Sequence, residues 1–120
     1  MIPVNEPLIG EREKEYILEC LKTGWISSEG PFIKKFEEYF AKYIGKKYGI
    51  TVSSGTAALE VAVKTLGLQE GNEIILPTFT IISCAQAIVK AGLKPVLVDC
   101  DYSNFNMLAE QVEQKITSKT

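Results

Sequence analysis

A serine-glycine-threonine corner, Ser54-Gly55-Thr56, is the part of this sequence whose residue types could do chemistry. An apolar run over residues 48–52 leads into it, and a run with helical spacing over residues 57–66 leads out. This order predicts a strand, a tight turn and a helix start, where the first backbone N–H groups have no acceptor. Free amides and the positive end of the helix dipole would suit an anion. Ser54 could instead serve only as the helix cap, so both interpretations are open here.

Composition limits the class of protein to which the chain can belong. Of its 120 residues, 46% are hydrophobic and 23% are charged, as is typical of a globular domain. The formal net charge is −2 and Arg12 is the single arginine, which argues against a nucleic-acid partner. No apolar run reaches the roughly 18 residues of a membrane span, and the first residues lack a signal-peptide pattern. We therefore expect a cytoplasmic protein without a membrane partner.

The cysteines and the absence of histidine narrow the chemistry further. Cys20, Cys84 and Cys100 have unrelated spacings and no CxxC pair, so we expect free thiols in a reducing compartment. Without histidine, the sequence cannot supply a Ser–His or Cys–His nucleophile or a histidine-bearing zinc site, and we expect no metal site. No GxGxxG motif follows a predicted strand, which argues against a dinucleotide-dependent dehydrogenase.

The elements that would position the corner follow from hydrophobic spacing. Residues 1–9 contain two prolines and predict an extended arm. Helical spacing then predicts two helices, over residues 11–22 and from Pro31 to about residue 44, each followed by glycine. The loop between these helices contains Trp25, the single tryptophan of the chain.

The remainder of the chain alternates between strands and helices. Strands are predicted over residues 48–52, 73–76 and 95–98, and helices over residues 56–66, 80–91 and 107–116. On the helix over residues 80–91, the side chains expected to be buried are Ile82, Ala85, Ile88 and Val89. Strands separated by helices predict a parallel sheet with both faces covered.

Three features would meet at the carboxyl edge of this sheet, where ligands of open parallel sheets bind. The Ser54-Gly55-Thr56 corner follows the first strand, Pro77-Thr78-Phe79-Thr80 follows the second, and Asp99 with Asp101 follows the third. Hydroxyls and amides beside an aromatic ring suggest a phosphorylated ligand, which favours the ligand interpretation of the corner over a cap alone. For the two aspartates we expect loop capping and assign no catalytic role.

The motifs around the corner resemble those of the DegT/DnrJ/StrS family, which are sugar aminotransferases of pyridoxal-phosphate fold type I. The similarity lies in residues 54–59 (SGTAAL), 71–80 (GNEIILPTFT) and 94–99 (KPVLVD). The arm and the Trp25 loop match as well. The loop is most similar to the branch that aminates GDP-4-keto-6-deoxymannose with glutamate as the donor.

This resemblance implies an α/β fold that is part of the large domain of a fold type I aminotransferase. Parallel strands with flanking helices would be preceded by two N-terminal helices. Residues 1–120 would form a single domain fragment, with the arm and helices over 1–46 and the start of the cofactor-binding large domain over 47–120. The cofactor would be pyridoxal 5'-phosphate (PLP), the substrates a nucleotide sugar and glutamate, and the assembly a homodimer.

The resemblance also implies ligand contacts for named residues. Contacts to the cofactor would come from Ser54, Gly55, Thr56 and Ile81. The corner matches the family's phosphate site, and Ile81 stands where an aromatic residue usually stacks on the pyridine ring. Contacts near the sugar nucleotide, in this subunit's site or a neighbour's, would come from Trp25, Ser27 and Ser28. Trp25 could instead fill a gap in the core beside a turn.

Family members are more than twice as long, and their reacting residues lie later in the chain. The lysine that forms a Schiff base with the cofactor and the aspartate that protonates the pyridine nitrogen are both expected beyond residue 120. We therefore expect no catalytic residue within this chain and no activity from it alone. Two alternatives are a non-catalytic module that binds cofactor or phosphate, and a structural fragment that assembles through the aromatic helix over residues 32–44.

Overall fold

The computed structural model describes residues 2–120, so Met1, the first residue of the predicted arm, lies outside the described residues. Over these residues the elements are α1 (Glu11–Thr23), α2 (Pro31–Tyr43), α3 (Gly55–Thr65), β1 (Glu73–Pro77), α4 (Ile82–Lys90), β2 (Lys94–Val98) and α5 (Ala109–Lys115). They divide into two compact units, one ending at Thr51 and one beginning at Val52. The single domain over residues 1–120 stays a prediction.

The first unit contains the arm, α1 and α2. Residues 2–9 have no regular secondary structure, as predicted for an arm. α1 begins after Gly10, whose N–H donates to the Glu13 carboxylate at 2.7 Å, and it ends at Gly24, whose left-handed φ of 76° suits glycine. α2 begins with Pro31, where a missing N–H costs nothing. Both helices confirm the prediction.

Residues 48–52 do not form a strand, so that prediction is wrong. Gly49 and Thr51 contact α2 instead: a Cβ at Gly49 would lie 2.6 Å from the Glu37 carbonyl oxygen, and the Thr51 N–H donates to the Glu37 carboxylate at 2.8 Å. A strand is stabilised by hydrogen bonds to a neighbouring strand. Across residues 2–120 the paired strands are β1 and β2 alone. Residues 48–52 therefore have no neighbouring strand with which to form backbone hydrogen bonds.

The second unit is built around two parallel strands. β1 and β2 pair in parallel from Glu73 opposite Lys94 to Pro77 opposite Val98, which confirms the predicted arrangement of these two strands. α4 connects the strands, and α3 packs against α4. The buried hydrophobic side chains of this unit are Leu76, Ala87, Ile88, Leu93 and Val98.

α4 begins at Ile82, two residues after the predicted start, and only part of its predicted buried face is covered. Ile88 is buried and Ala85 is partly buried against the Leu76 cluster. Ile82 and Val89 are 71% and 59% exposed, so their predicted burial is wrong. Positions seven apart share one flank of a helix, and within the described residues the two-stranded sheet leaves that flank uncovered.

α5 is also shorter than predicted, since it covers Ala109–Lys115 rather than residues 107–116. Met107 forms an isolated antiparallel bridge with Cys100, which keeps its backbone out of the helix. Leu108 and Val112 are partly buried, whereas Ile116 is 59% exposed. None of the described helices combines the length and the apolar character needed to cross a bilayer.

Glu73 ties the start of β1 to residues 117–119. Its carboxylate accepts hydrogen bonds from Thr117 Oγ1 at 2.7 Å and from Lys94 Nζ at 2.9 Å. Its N–H donates to the Lys119 carbonyl oxygen at 2.8 Å. The bond from Thr117, followed by that from Lys94, holds the pKa of Glu73 below its ordinary value.

This lowered pKa predicts a loss of stability in acid. Because the folded pKa of Glu73 lies below the unfolded one, its contribution is present above the unfolded pKa and is lost as the pH falls through the folded pKa. Glu73→Gln should therefore flatten the fall in unfolding free energy below pH 4.5. Urea unfolding at several acidic pH values measures this slope. Glu70→Gln, which removes a carboxylate with no hydrogen bond among the described residues, should leave the slope unchanged; an equal flattening would contradict the assignment.

Candidate functional site

Ser54 caps α3 at the corner singled out by the sequence. Its Oγ accepts the Ala57 N–H at 3.2 Å, and its carbonyl oxygen accepts the Ala58 N–H at 3.0 Å. Capping, the alternative role considered for Ser54, is therefore present. Within residues 2–120 the N–H groups of Gly55 and Thr56 have no acceptor, so two amides at the positive end of the helix can still bind an anion.

Gly55 leaves open space at this helix end. Apart from its chain neighbours and the backbone of its own helix, a Cβ at this position would have no atom within 4 Å, and the Gly55 backbone is outside the left-handed region. Neither the packing nor the backbone conformation of the described chain therefore requires glycine. A glycine at a helix N-terminus lets an anion approach the backbone closely, so the corner fits a phosphate group.

Thr56 connects the corner to α4. Its Oγ1 lies 3.0 Å from the Oγ of Ser83, and both side chains are partly buried. Ser83 is in the first turn of α4, which follows β1 after residues 78–81. The contact therefore brings the start of α3 to the carboxyl end of β1. The sequence pattern does not identify Ser83 as a site residue, since its sole signal is its place in the first turn of a helix that follows a strand.

Ile81 is the N-terminal cap residue of α4, two positions before Ser83. Its side chain is 66% exposed. An exposed aliphatic group this close in sequence to the Thr56 contact could cover a planar ring bound at the corner. The contact between Ile81 and a cofactor ring stays a prediction.

Thr78 and Asp99 join the ends of β1 and β2. Thr78 Oγ1 donates to Asp99 Oδ1 at 3.3 Å, and the Thr78 N–H donates to the Val98 carbonyl oxygen at 2.9 Å. The backbone N–H of Asp99 donates to Gln111 Oε1 at 2.7 Å, which fastens α5 to the same edge. The hydrogen bonds of Asp99 thus order the sheet edge, as expected.

Asp101 caps the turn that follows β2. Its carboxylate accepts the hydroxyl and the backbone N–H of Ser103. These two bonds, the hydroxyl bond first, hold the pKa of Asp101 below its ordinary value. The Asp101 N–H donates to the Asn106 carbonyl oxygen and its carbonyl oxygen accepts the Phe105 N–H, both at 2.8 Å. Loop capping by Asp101 is confirmed.

The loop residues predicted to lie near the sugar nucleotide belong to the first unit. Trp25 is 49% exposed, which argues against the alternative that it fills a core gap. Its Cβ lies 3.5 Å from the position that a Cβ at the buried Gly30 would occupy, which is an ordinary van der Waals separation. Ser27 and Ser28 are exposed. All three side chains are accessible to a ligand, and their role stays a prediction.

Parallel strands with a hydroxyl-rich helix N-terminus at their carboxyl edge define an α/β protein with a candidate phosphate site. Comparison with known proteins then identifies the family. Residues 7–120 match the profile of the DegT/DnrJ/EryC1/StrS aminotransferase family. The chain belongs to this family, which confirms the predicted resemblance and the α/β fold class.

The chain is similar to characterised relatives over almost its whole length. It is 47% identical to GDP-perosamine synthase from Escherichia coli O157:H7 over 119 residues, which are 99% of this chain and 33% of that protein. The solved structure of the aminotransferase TlmJ from Streptoalloteichus hindustanus matches with a TM-score of 0.89 at 34% identity, over 100% of this chain and 33% of that chain.

A second solved structure contains the cofactor itself. The E. coli GDP-4-keto-6-deoxy-D-mannose-3-dehydratase with bound hydrated PLP matches with a TM-score of 0.89 at 27% identity, over 98% of this chain and 32% of that chain. Structural neighbours that bind PLP therefore share this part of the fold. The chain spans about a third of the length of the relatives that it matches.

Proposed function

We propose that this chain is the N-terminal part of a PLP-dependent aminotransferase. The whole enzyme would transfer an amino group from glutamate to a nucleotide-linked 4-keto-6-deoxy sugar, as a GDP-perosamine synthase does, for the biosynthesis of a surface polysaccharide or glycan. The 47% identity to the E. coli GDP-perosamine synthase supports this substrate class. The observation that carries the proposal is the 3.0 Å contact between Thr56 and Ser83, because it brings the corner to the carboxyl edge of the sheet.

The corner would bind the phosphate of PLP. The backbone N–H groups of Gly55 and Thr56 would donate to the phosphate oxygens, and the Ser54 and Thr56 hydroxyls would donate to them as well. Ile81 would cover the pyridine ring. PLP supplies an electron sink for amino transfer when it is bound, whereas these residues hold and orient it. The reacting lysine and the aspartate at the pyridine nitrogen are proposed to lie beyond residue 120, so the chain alone would be inactive.

The partners of the whole enzyme would be a nucleotide sugar, glutamate and a second copy of the enzyme. Trp25, Ser27 and Ser28 would contact the nucleotide sugar, in the same or the neighbouring subunit. A homodimer is supported by an apolar groove of about 600 Å³ in the first unit, lined by residues that include Tyr16, Ile17, Leu21, Phe32, Phe36 and Tyr39. Large exposed apolar surfaces mark interaction sites. The three free cysteines fit a cytoplasmic location.

The phosphate contact predicts a loss of cofactor affinity in the whole enzyme. Ser54→Ala combined with Thr56→Val should raise the Kd for PLP about tenfold or more, because hydrogen bonds to a charged group are each worth about 1.5–3 kcal/mol. Absorbance titration of the cofactor-free enzyme with PLP measures the affinity. Ser83→Ala is the control for the Thr56–Ser83 contact alone and should change the Kd less. An unchanged affinity in the double variant would show that the phosphate is bound elsewhere.

Stability must be measured beside affinity, since Ser54 also caps α3. Loss of such a cap costs about 1 kcal/mol. Thermal unfolding without PLP separates the loss of the cap from the loss of affinity.

Titration of the 120-residue chain with PLP and with inorganic phosphate tests the alternative of a cofactor-binding module, and gel filtration tests the alternative of an assembly fragment.

A further inference from the structure

Phe105 has an unusual backbone conformation. Among residues 2–120 it is the one residue other than glycine with a positive φ, 58°. This left-handed region is unfavourable for a bulky side chain. The turn over residues 101–106 fixes it through the hydrogen bonds from Phe105 N–H to Asp101 and from Asp101 N–H to Asn106. Strained backbone conformations that the surrounding structure holds in place cluster at functional sites.

The left-handed backbone places the Phe105 ring against Phe79. The ring centroids are 5.0 Å apart and the planes are inclined at 35°, within the range of favourable aromatic pairs. Phe79 is 66% exposed and Phe105 is 55% exposed. The pair therefore lies at the surface rather than in the buried core, so packing of the core does not explain the strained residue.

Phe79 lies in the segment that connects β1 to α4 and ends at Ile81. Its neighbours in this segment are each attached by a side-chain hydrogen bond: Thr78 Oγ1 to Asp99 Oδ1 at 3.3 Å, and Thr80 Oγ1 to Cys84 Sγ at 3.3 Å. Phe79, between these two residues, is attached through its ring contact with Phe105. Residues 78–80 are thus attached in turn to the end of β2, to the following turn and to α4.

We propose that Phe105 is a positioning residue for this segment. The turn over residues 101–106 holds its ring against Phe79, which orders residues 78–81 and thereby sets the position of Ile81 and the start of α4, where Ser83 contacts Thr56. The ordering of residues 78–81 is independent of any ligand. The consequence for PLP rests on the proposed function, in which Ile81 and Thr56 contact the cofactor.

Hydrogen exchange of the whole enzyme without cofactor tests the ordering directly. Phe105→Ala should speed amide exchange in residues 78–84 by about two- to tenfold, the factor expected from one aromatic pair. Phe105→Tyr retains the ring and should exchange at the parent rate. Phe105→Gly removes the ring but relieves the backbone strain, so it should speed exchange as alanine does, even if the alanine variant folds poorly. Tyr102→Ala is the matched control, since Tyr102 is in the same turn and 96% exposed.

The outcomes separate this proposal from the proposed function. Unchanged exchange at residues 78–84 in Phe105→Gly, or an equal increase in Tyr102→Ala, would overturn the positioning role. Faster exchange together with a several-fold rise in the Kd for PLP would support the full proposal, and faster exchange at unchanged Kd would overturn its link to the cofactor. A parent enzyme that binds no PLP would count against the proposed function, while the exchange rates would still decide the role of Phe105.

Discussion

Replacing Leu76 with alanine is expected to destabilise the second unit by about 2–5 kcal/mol. Leu76 is 5% exposed and forms the core cluster with Ile88 and Leu93. Alanine would remove buried apolar surface and leave a cavity, which close-packed neighbours fill only in part. Since a small domain has a total stability of about 5–15 kcal/mol, this single change would remove a large share of it.

Leu97 provides the matched control, because it is the register partner of Leu76 on β2. It is 54% exposed, so Leu97→Ala should cost less than about 1 kcal/mol. Urea unfolding followed by far-UV circular dichroism measures both free energies. If the two substitutions cost the same, the core of the second unit is not centred on Leu76.

The elements that follow from local chemistry could be predicted from the sequence. Gly24 ends α1 because its left-handed backbone suits glycine, and Pro31 begins α2 because its fixed φ and missing N–H suit the first turn. Whether residues 48–52 form a strand could not be decided from local chemistry. Their apolar run is compatible with a strand, but pairing depends on a neighbour that the sequence near it does not specify.

The same distinction between local chemistry and tertiary contacts applies to the residues of the candidate site. The residue types of the Ser54-Gly55-Thr56 corner predict a helix N-terminus, and the structure has one. Ser83 was missed because its contact with Thr56 joins residues 27 apart and depends on the packing of α3 against α4. The left-handed Phe105 was missed because its residue type favours the opposite backbone conformation. Local signals therefore identify the corner, and tertiary packing supplies the groups around it.

Gly55→Ala is expected to separate cofactor binding from stability. A Cβ at Gly55 would have no atom within 4 Å apart from its chain neighbours and the backbone of its own helix, and alanine is the better helix former. The unfolding free energy should therefore stay the same or rise by up to about 1 kcal/mol. If a phosphate lies against the Gly55 and Thr56 amides, the added methyl group would obstruct it. The Kd for PLP should then rise about tenfold or more, equivalent to about 1.4 kcal/mol of binding free energy.

Ala62→Gly supplies the opposite control, because Ala62 is an exposed residue within α3. It should lower stability by about 0.5–1 kcal/mol and leave the Kd for PLP unchanged. Thermal unfolding without cofactor and absorbance titration with PLP, both on the whole enzyme, give the two quantities for each variant. A Gly55→Ala enzyme that binds PLP as tightly as the parent would contradict a phosphate site at this corner.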